Sequence, residues 1–276
     1  MKKIKLAVIV VTYYPNEDLY DNIMSYLEGV PLFVVWDNTP SEELLDLKLP
    51  SSVILQGDGV NKGLAYAYNQ GIKMAIQNSC THIMTMDQDS KFENFDFFCS
   101  MLESLPDTTG MYAPLINNRD FIYDETVKNV THVAQSGCVF SLDMIKEVGG
   151  FREDFFIGMV DVEFMLRAQS KGYKIYQFLG CNLQHQIGSE RKVKALNQTL
   201  MVSDYGPLRH YYDSRNRILM WKEFPGDYSM NGKLKHHLGR IKVCVKILLY
   251  EKDKMRKIWA ILRGTFNGVF NRVIPY

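Results

Sequence analysis

IKLAVIVVT, residues 4–12, runs without a break from Leu6 to Val11 in residues that are mostly β-branched. The run is too short to span a membrane and reads as a strand buried on both faces. It ends in Tyr13-Tyr14-Pro15-Asn16, a loop. Working outward, Leu19, Ile23, Tyr26 and Leu27 give residues 17–28 a helical spacing, and Leu32 to Trp36 is a second apolar strand halted by Asp37-Asn38-Thr39-Pro40. Ser52 to Leu55 is a weaker third strand, Ala65 to Ile76 a helix, and His82 to Met86 a fourth strand that stops at Asp87. Strand alternating with helix predicts an α/β fold, a Rossmann-like, mostly parallel sheet flanked by helices. Such sheets bind ligands beyond the carboxyl ends of their strands, where Thr12, Asp37 and Asp87 each follow an apolar run. Asp and Asn also start turns, so Asp37 alone carries little weight; three such residues on three strands carry more.

The chain of 276 residues is 46% hydrophobic, enough for a full core. Its five cysteines are widely spaced and form no Cys-x-x-Cys or Cys/His pairing, which argues against a disulfide framework or a zinc site and for a reducing, cytoplasmic setting. The net charge of +1 hides an asymmetry. Residues 1–185 hold 14 basic and 24 acidic residues, a net −10, and residues 186–276 hold 18 and 7, a net +11. Beyond residue 185 the alternation fades. Residues 233–263 read as one or two helices, with Leu234, Leu238, Ile241, Val245 and Leu248 on one stripe and Lys233, Lys235, Arg240, Lys242 and Lys246 beside it. The expected organisation is one domain over residues 1–220 and a helical, basic C-terminal extension over 221–276.

Asp87-Gln88-Asp89 places two carboxylates where a strand leaves the sheet. Magnesium and manganese take such oxygens and fill their remaining positions with phosphate oxygens and water. An Asp-x-Asp alone is common; its place at a strand end strengthens the metal reading.

Several motifs in order resemble glycosyltransferase family 2, the nucleotide-sugar transferases of the GT-A fold, and among them the bacterial rhamnosyltransferases. They cover roughly residues 5–220. Val10-Val11-Thr12-Tyr13-Tyr14-Pro15 and Asp37-Asn38-Thr39 are similar to segments that contact the nucleotide base. Asn61-Lys62-Gly63-Leu64-Ala65-Tyr66-Ala67-Tyr68-Asn69-Gln70-Gly71 resembles the Asn-x-Gly-x-Ala-x-Ala-x-Asn-x-Gly segment beside the donor. Asp87-Gln88-Asp89-Ser90 is similar to the donor and metal motif. Ser136-Gly137-Cys138 resembles the loop lining the acceptor cleft, and Gly149 to Ile157 the approach to the catalytic acid pair.

What the resemblance implies is specific. Asp161 falls at the general base, and Glu163, Ser136 and Gly137 fall on the acceptor side. Thr12, Tyr13, Asp37, Asn61, Gly63, Asn69 and Asp87 fall around the donor. Asp89 is the more direct ligand of Mg2+ or Mn2+, Asp87 also touches ribose, and His185 reaches the metal or diphosphate. Tyr211-Tyr212-Asp213-Ser214-Arg215-Asn216 resembles a late Tyr-x-x-Arg-Asn motif, with Arg215 set to pair with diphosphate oxygens. Gly158 stands where close relatives carry Asp. The implied activity is an inverting, metal-dependent transfer of a sugar, best read as L-rhamnose from dTDP-rhamnose, to a glycan or lipid-linked acceptor in cell-surface polysaccharide synthesis.

Other readings compete. A family 2 enzyme using a UDP-sugar shares every motif above. A nucleotidyltransferase would need a Gly-rich, basic phosphate loop after the first strand, where Tyr13-Tyr14-Pro15-Asn16 stands instead. A nucleic-acid module would interleave aromatics and glycines with its basic residues on a recognisable scaffold, and none is seen. A membrane-surface binding module without catalysis is the alternative of another class; peripheral contact of the basic helices with the inner face of the cell membrane also fits a lipid-linked acceptor, against the plainer reading of helices packed on the core with a solvated basic face.

Overall fold

A computed structural model describes residues 3–41, 47–117, 126–185, 191–195 and 198–276. The chain forms two compact units, one of Met1–Glu153 with Val160–Gln186, the other of Asp154–Met159 with Ile187–Tyr276.

In the first unit the chain runs β1 (Leu6–Thr12), α1 (Leu19–Met24), β2 (Leu32–Asp37), β3 (Val53–Gly57), α2 (Leu64–Gln77), β4 (His82–Asp87) and β5 (Ser90–Phe92). It continues through α3 (Phe95–Ser104), β6 (Met111–Ile116), β7 (Val127–Val130), β8 (Cys138–Ser141), α4 (Leu142–Val148), α5 (Val160–Ser170) and β9 (Ile175–His185). Among the described residues these strands make one sheet in the order β3-β2-β1-β4-β8-β6-β9-β5, with β7 also on β9. The half that the sequence alternation spells out, β3-β2-β1-β4, is parallel throughout. Beyond β4 the sheet is mixed: β8 is antiparallel to β4 and β6, β6 and β9 are parallel, and β5 and β7 run antiparallel to β9.

Burial explains the residue choice. Every residue of β1 and β2 is buried, as a central parallel strand requires, whereas β3 at the edge alternates between half-buried and exposed positions. Each fully buried Val, Ile or Phe contributes about 1.5–3 kcal/mol. The register places Thr12 beside Asp37 and Val11 beside Asp87, so three polar strand ends share one edge. Helix α2 lies close over this centre: a Cβ on Gly71 would come within 2.6 Å of Ile9 Cδ1. On the other face Tyr26, Phe33, Phe92, Phe95 and Phe98 pack edge to face or stacked, with ring centroids 5.2–6.4 Å apart.

The second unit holds the antiparallel ribbon β10 (Arg191–Ala195) and β11 (Gln198–Val202), then α6 (Pro207–Glu223), α7 (Met230–Tyr250) and α8 (Lys254–Val269). Small residues let α8 lie against α6: a Cβ on Gly264 would meet the Tyr211 carbonyl at 2.3 Å, and one on Gly268 the Arg215 carbonyl at 2.8 Å. By contacts the second unit takes in residues 187–276, on both sides of the expected boundary at residue 220. Helix α6 folds with the C-terminal helices because its backbone forms their seat. No helix among the described residues is long and apolar enough to cross a membrane.

Candidate active site

The site begins with the loops at the carboxyl edge of β1, β2 and β4. Thr12 Oγ1 donates to Asp37 Oδ1 at 3.0 Å, and the same oxygen accepts the Thr39 N–H at 3.0 Å. Asn38 N–H reaches the Thr12 carbonyl, and the Thr39 hydroxyl accepts the Tyr14 N–H at 2.8 Å. Thr12 and Asp37 are buried, so they shape the floor of the edge, while the Tyr13 ring above them is exposed. Gln88 ties β4 to the same edge: its Oε1 accepts the Tyr13 N–H at 2.7 Å and its Nε2 donates to the Tyr13 carbonyl at 3.3 Å. Gln88 reads in the sequence as a spacer between two aspartates; its pairing with a backbone 75 residues away is invisible there.

The Asn61-to-Gly71 segment is built around a tight entry into α2. Asn61 Oδ1 accepts the Gly63 N–H at 3.0 Å, Gly63 takes φ +88°, and Asn38 Nδ2 donates to the Gly63 carbonyl at 3.2 Å. Asn69, expected at the donor, staples α2 to residues 151–153. Its Nδ2 donates to the Phe151 carbonyl and to Glu153, and its Oδ1 accepts the Phe151 N–H at 2.9 Å. The same oxygen lies 2.6 Å from where a Cβ on Gly150 would sit, which explains the glycine.

At the end of β4, Asp87, Asp89 and His185 converge, with one ligand atom from each lying within 4.8 Å of the others. His185 Nδ1 is 3.3 Å from Asp89 Oδ1, and Nε2 is 3.9 Å from Asp87 Oδ2. Behind them the Asp87 N–H donates to Ser136 Oγ at 3.1 Å, Ser136 Oγ donates to Ser90 Oγ at 2.7 Å, and Ser90 Oγ lies 2.8 Å from His185 Nδ1. A Ser90 oxygen accepting from Nδ1–H leaves Nε2 with its lone pair, the form an imidazole ligand takes. Asn117 fixes the backbone of His185 with two bonds, at 2.6 and 2.9 Å. The hydrogen bond to Asp89 raises the His185 pKa, burial opposes it, and the charges of Asp87 and Asp89 add to the rise. Two carboxylates and an imidazole suit a divalent cation, and a cleft of about 660 Å³ lined by Asp89, His185, Asn16, Asn22, Asn182 and Gln184 opens beside them.

Ser136, expected on the acceptor side, thus hydrogen-bonds the loop at the end of β4. Gly137 takes φ +78°, and a Cβ there would press on Pro114 at 2.8 Å, so its role is backbone geometry. Asp161 lies half-buried in the first turn of α5. Tyr68 on α2 is wholly buried, and its phenol pKa is driven well above the usual value by that burial and then by the charges of Asp87 and Asp161. One phenol thus feels both the metal strand and the expected base. Glu163 does not face the cleft: it is 2% exposed and forms a two-pronged pair with Arg167 at 2.8 Å on both arms. Arg167 also donates to the carbonyls of Val148, Gly149 and Gly150.

Arg215, expected at the donor diphosphate, stands on α6. In the second unit its guanidinium, 1% exposed, is spent on the carbonyls of Asp154 and Ile274 and on Asn216 Oδ1, and it lies over the rings of Tyr211 and Tyr212. Asn216 Nδ2 donates to the carbonyls of Phe155, Ile157 and Gly158 at 2.8–3.1 Å, and the rings of Phe156 and Tyr212 stack at 4.8 Å. Gly158, the departure from the expected Asp, has φ +74°, and a Cβ there would lie 2.5 Å from Asp213 Oδ1. The late Tyr-x-x-Arg-Asn motif holds residues 154–158 in place.

No family model matches the chain. A dTDP-rhamnosyl transferase, RfbF of Shigella flexneri, is 26% identical over 79% of this chain and 80% of its own. A hexosyltransferase of low-salt glycan biosynthesis, Agl10 of Haloferax volcanii, is 24% identical over 97% and 92%. The chain is a glycosyltransferase. Its GT-A fold is shared with GalNAc-T7, solved with UDP, GalNAc and Mn2+, at a TM-score of 0.59 and 14% identity over 81% of this glycosyltransferase. The match spans about half, 49%, of the GalNAc-T7 chain.

Proposed function

We propose that this glycosyltransferase moves L-rhamnose from dTDP-rhamnose to a glycan or lipid-linked acceptor in cell-surface polysaccharide synthesis, with inversion, and works in the cytoplasm. The observation that carries the proposal is the convergence of Asp87, Asp89 and His185 at the end of β4, with Tyr68 bridging from there towards Asp161. Those three groups would hold Mg2+ or Mn2+, which when bound neutralises a departing diphosphate. The name of the Shigella flexneri relative favours rhamnose and thymidine.

The residues divide the work. The Asn61–Gly63 turn and the Thr12–Asp37 floor shape the donor pocket, Tyr13 offers a face for the base, and Asp87 reaches the ribose. Asp161 accepts the proton of the acceptor hydroxyl. The acceptor oxygen bonds the anomeric carbon as the bond to the diphosphate oxygen breaks, and the diphosphate leaves with that electron pair. A single displacement of this kind inverts the centre.

Calorimetry with nucleoside diphosphates, with and without Mn2+ or Mg2+, tests the reading. Metal-dependent binding of thymidine diphosphate is expected. Binding of uridine diphosphate alone would move the enzyme to a UDP-sugar, and binding of no nucleotide would remove the donor assignment altogether.

A further inference from the structure

Helix α7 has 21 residues, and Ile247 is the one buried among them. Leu234, Leu238, Ile241, Val245 and Leu248 stand 4, 3, 4 and 3 residues apart, within one face of a 3.6-residue helix, and all are exposed. Helix α8 repeats the spacing with Met255, Trp259, Leu262, Phe266 and Val269, also exposed, on the side away from Gly264 and Gly268, which meet α6. Ile241 is 60% and Trp259 65% exposed, so these are open apolar faces and not the margins of a core.

Charge decides between occupants. Residues 229–276 carry 11 Lys and Arg against two acids, Glu251 and Asp253. Glu251 is buried against Lys257 at 2.7 Å. The α7 stripe is flanked by Lys235 and Lys242 on one side and by Lys233 on the other, roughly 80–100° around the helix from its centre. A second copy of this face would bring cations against cations with no acidic residues to match them. An anionic phospholipid surface supplies the missing charge and accepts the apolar side chains, and an exposed Trp beside Leu and Phe suits its headgroup boundary.

We propose that α7 and α8 form a docking face for an anionic lipid bilayer, on which the exposed stripes insert between headgroups while the flanking lysines pair with lipid phosphates. The α7 and α8 side chains are not among those proposed to hold donor or metal, so vesicle binding and nucleotide binding fail independently.

The test is co-sedimentation of the full chain with phosphatidylcholine vesicles, with and without phosphatidylglycerol. Binding is expected to the anionic vesicles alone and to weaken as salt rises. Ile241→Asp with Trp259→Asp should lower vesicle affinity roughly tenfold or more by removing inserted apolar surface. Lys235→Glu with Lys242→Glu should weaken binding and flatten its salt dependence. All four positions are exposed, and circular dichroism with nucleotide calorimetry should show both variants folded. The proposal is overturned if the protein ignores anionic vesicles, or if both double variants bind as the parent does. It is also overturned if light scattering finds a dimer that the Asp pair dissociates without any vesicle binding, which would assign the face to a second copy.

Discussion

Tyr68 is fully buried, and its hydroxyl hydrogen-bonds Asp87 beside the charge of Asp161. A hydrogen bond to a charged group contributes about 1.5–3 kcal/mol, so Tyr68→Phe should lower the melting temperature. An unchanged melting temperature would show that the phenol is not held by Asp87. Asp161→Asn should cut transfer by roughly 10²–10⁴-fold or more while calorimetry still shows metal-dependent donor binding. Loss of donor binding with it would make Asp161 a pocket residue rather than a base. Glu163→Gln should destabilise by about 2–4 kcal/mol, because Arg167 would be left holding three carbonyls without its anion, and chemical denaturation reads that directly. At this scale the sequence marks where chemistry gathers better than which atom does what. Asp87, Asp89 and His185 meet as their motifs imply. Asn69, Glu163 and Arg215 have the residue types of a donor or acceptor site, yet they are spent on carbonyls and ions. For Asn69 the partner lies 82 residues away, a distance no local pattern encodes.

The strands β1, β2 and β4 are legible in the sequence because a strand buried on both faces leaves an uninterrupted apolar run. Helix α2 is legible by its period, and the close approach of Gly71 to Ile9 gives its last glycine a reason. Gly71→Ala should cost about 1–3 kcal/mol through overpacking against β1, whereas Gly29→Ala, at an exposed glycine with nothing within 4 Å of its added Cβ, should be affected through its positive φ alone. The mixed half of the sheet is not legible, because β5, β7 and β9 carry half-buried and polar residues whose pairing depends on distant partners. Helix α6 carries a pH-dependent element. Burial, then the charges of Arg240, Lys257 and Arg209, push His210 from 6.5 down to about 4, and neither ring nitrogen has a hydrogen-bond partner. The folded state therefore binds fewer protons than the unfolded state between those values. Stability is full above pH 6.5, falls as pH drops through that window and levels below about 4, with a loss of about 2 kcal/mol by pH 5. Urea midpoints at pH 7 and 5 should separate accordingly, and His210→Phe should flatten the difference.

For the whole molecule, a ligand that binds only the folded chain adds RT ln(1 + [L]/Kd), about 2.7 kcal/mol at a hundredfold excess over Kd. Mn2+ with thymidine diphosphate should therefore raise the melting temperature by several degrees, EDTA should reverse it, and Asp89→Ala should abolish the metal-dependent part. An equal rise in that variant would place the metal elsewhere. The charge asymmetry read from the sequence survives in the structure as a basic C-terminal unit. The seat that α6 offers α8 depends on the glycines at 264 and 268 rather than on any change in composition. Residues 154–159 belong to that unit although they interrupt the other, so the chain passes from one to the other three times. The second of these crossings leads into Val160, and Asp161 is the next residue. Cutting the protein after residue 186 would not yield a clean catalytic half. It would strip the Asp154–Gly158 segment of Arg215 and Asn216 and leave the stretch preceding Asp161 without its anchor. Enzyme shortened in this way should retain the β1–β4 edge and yet lose transfer.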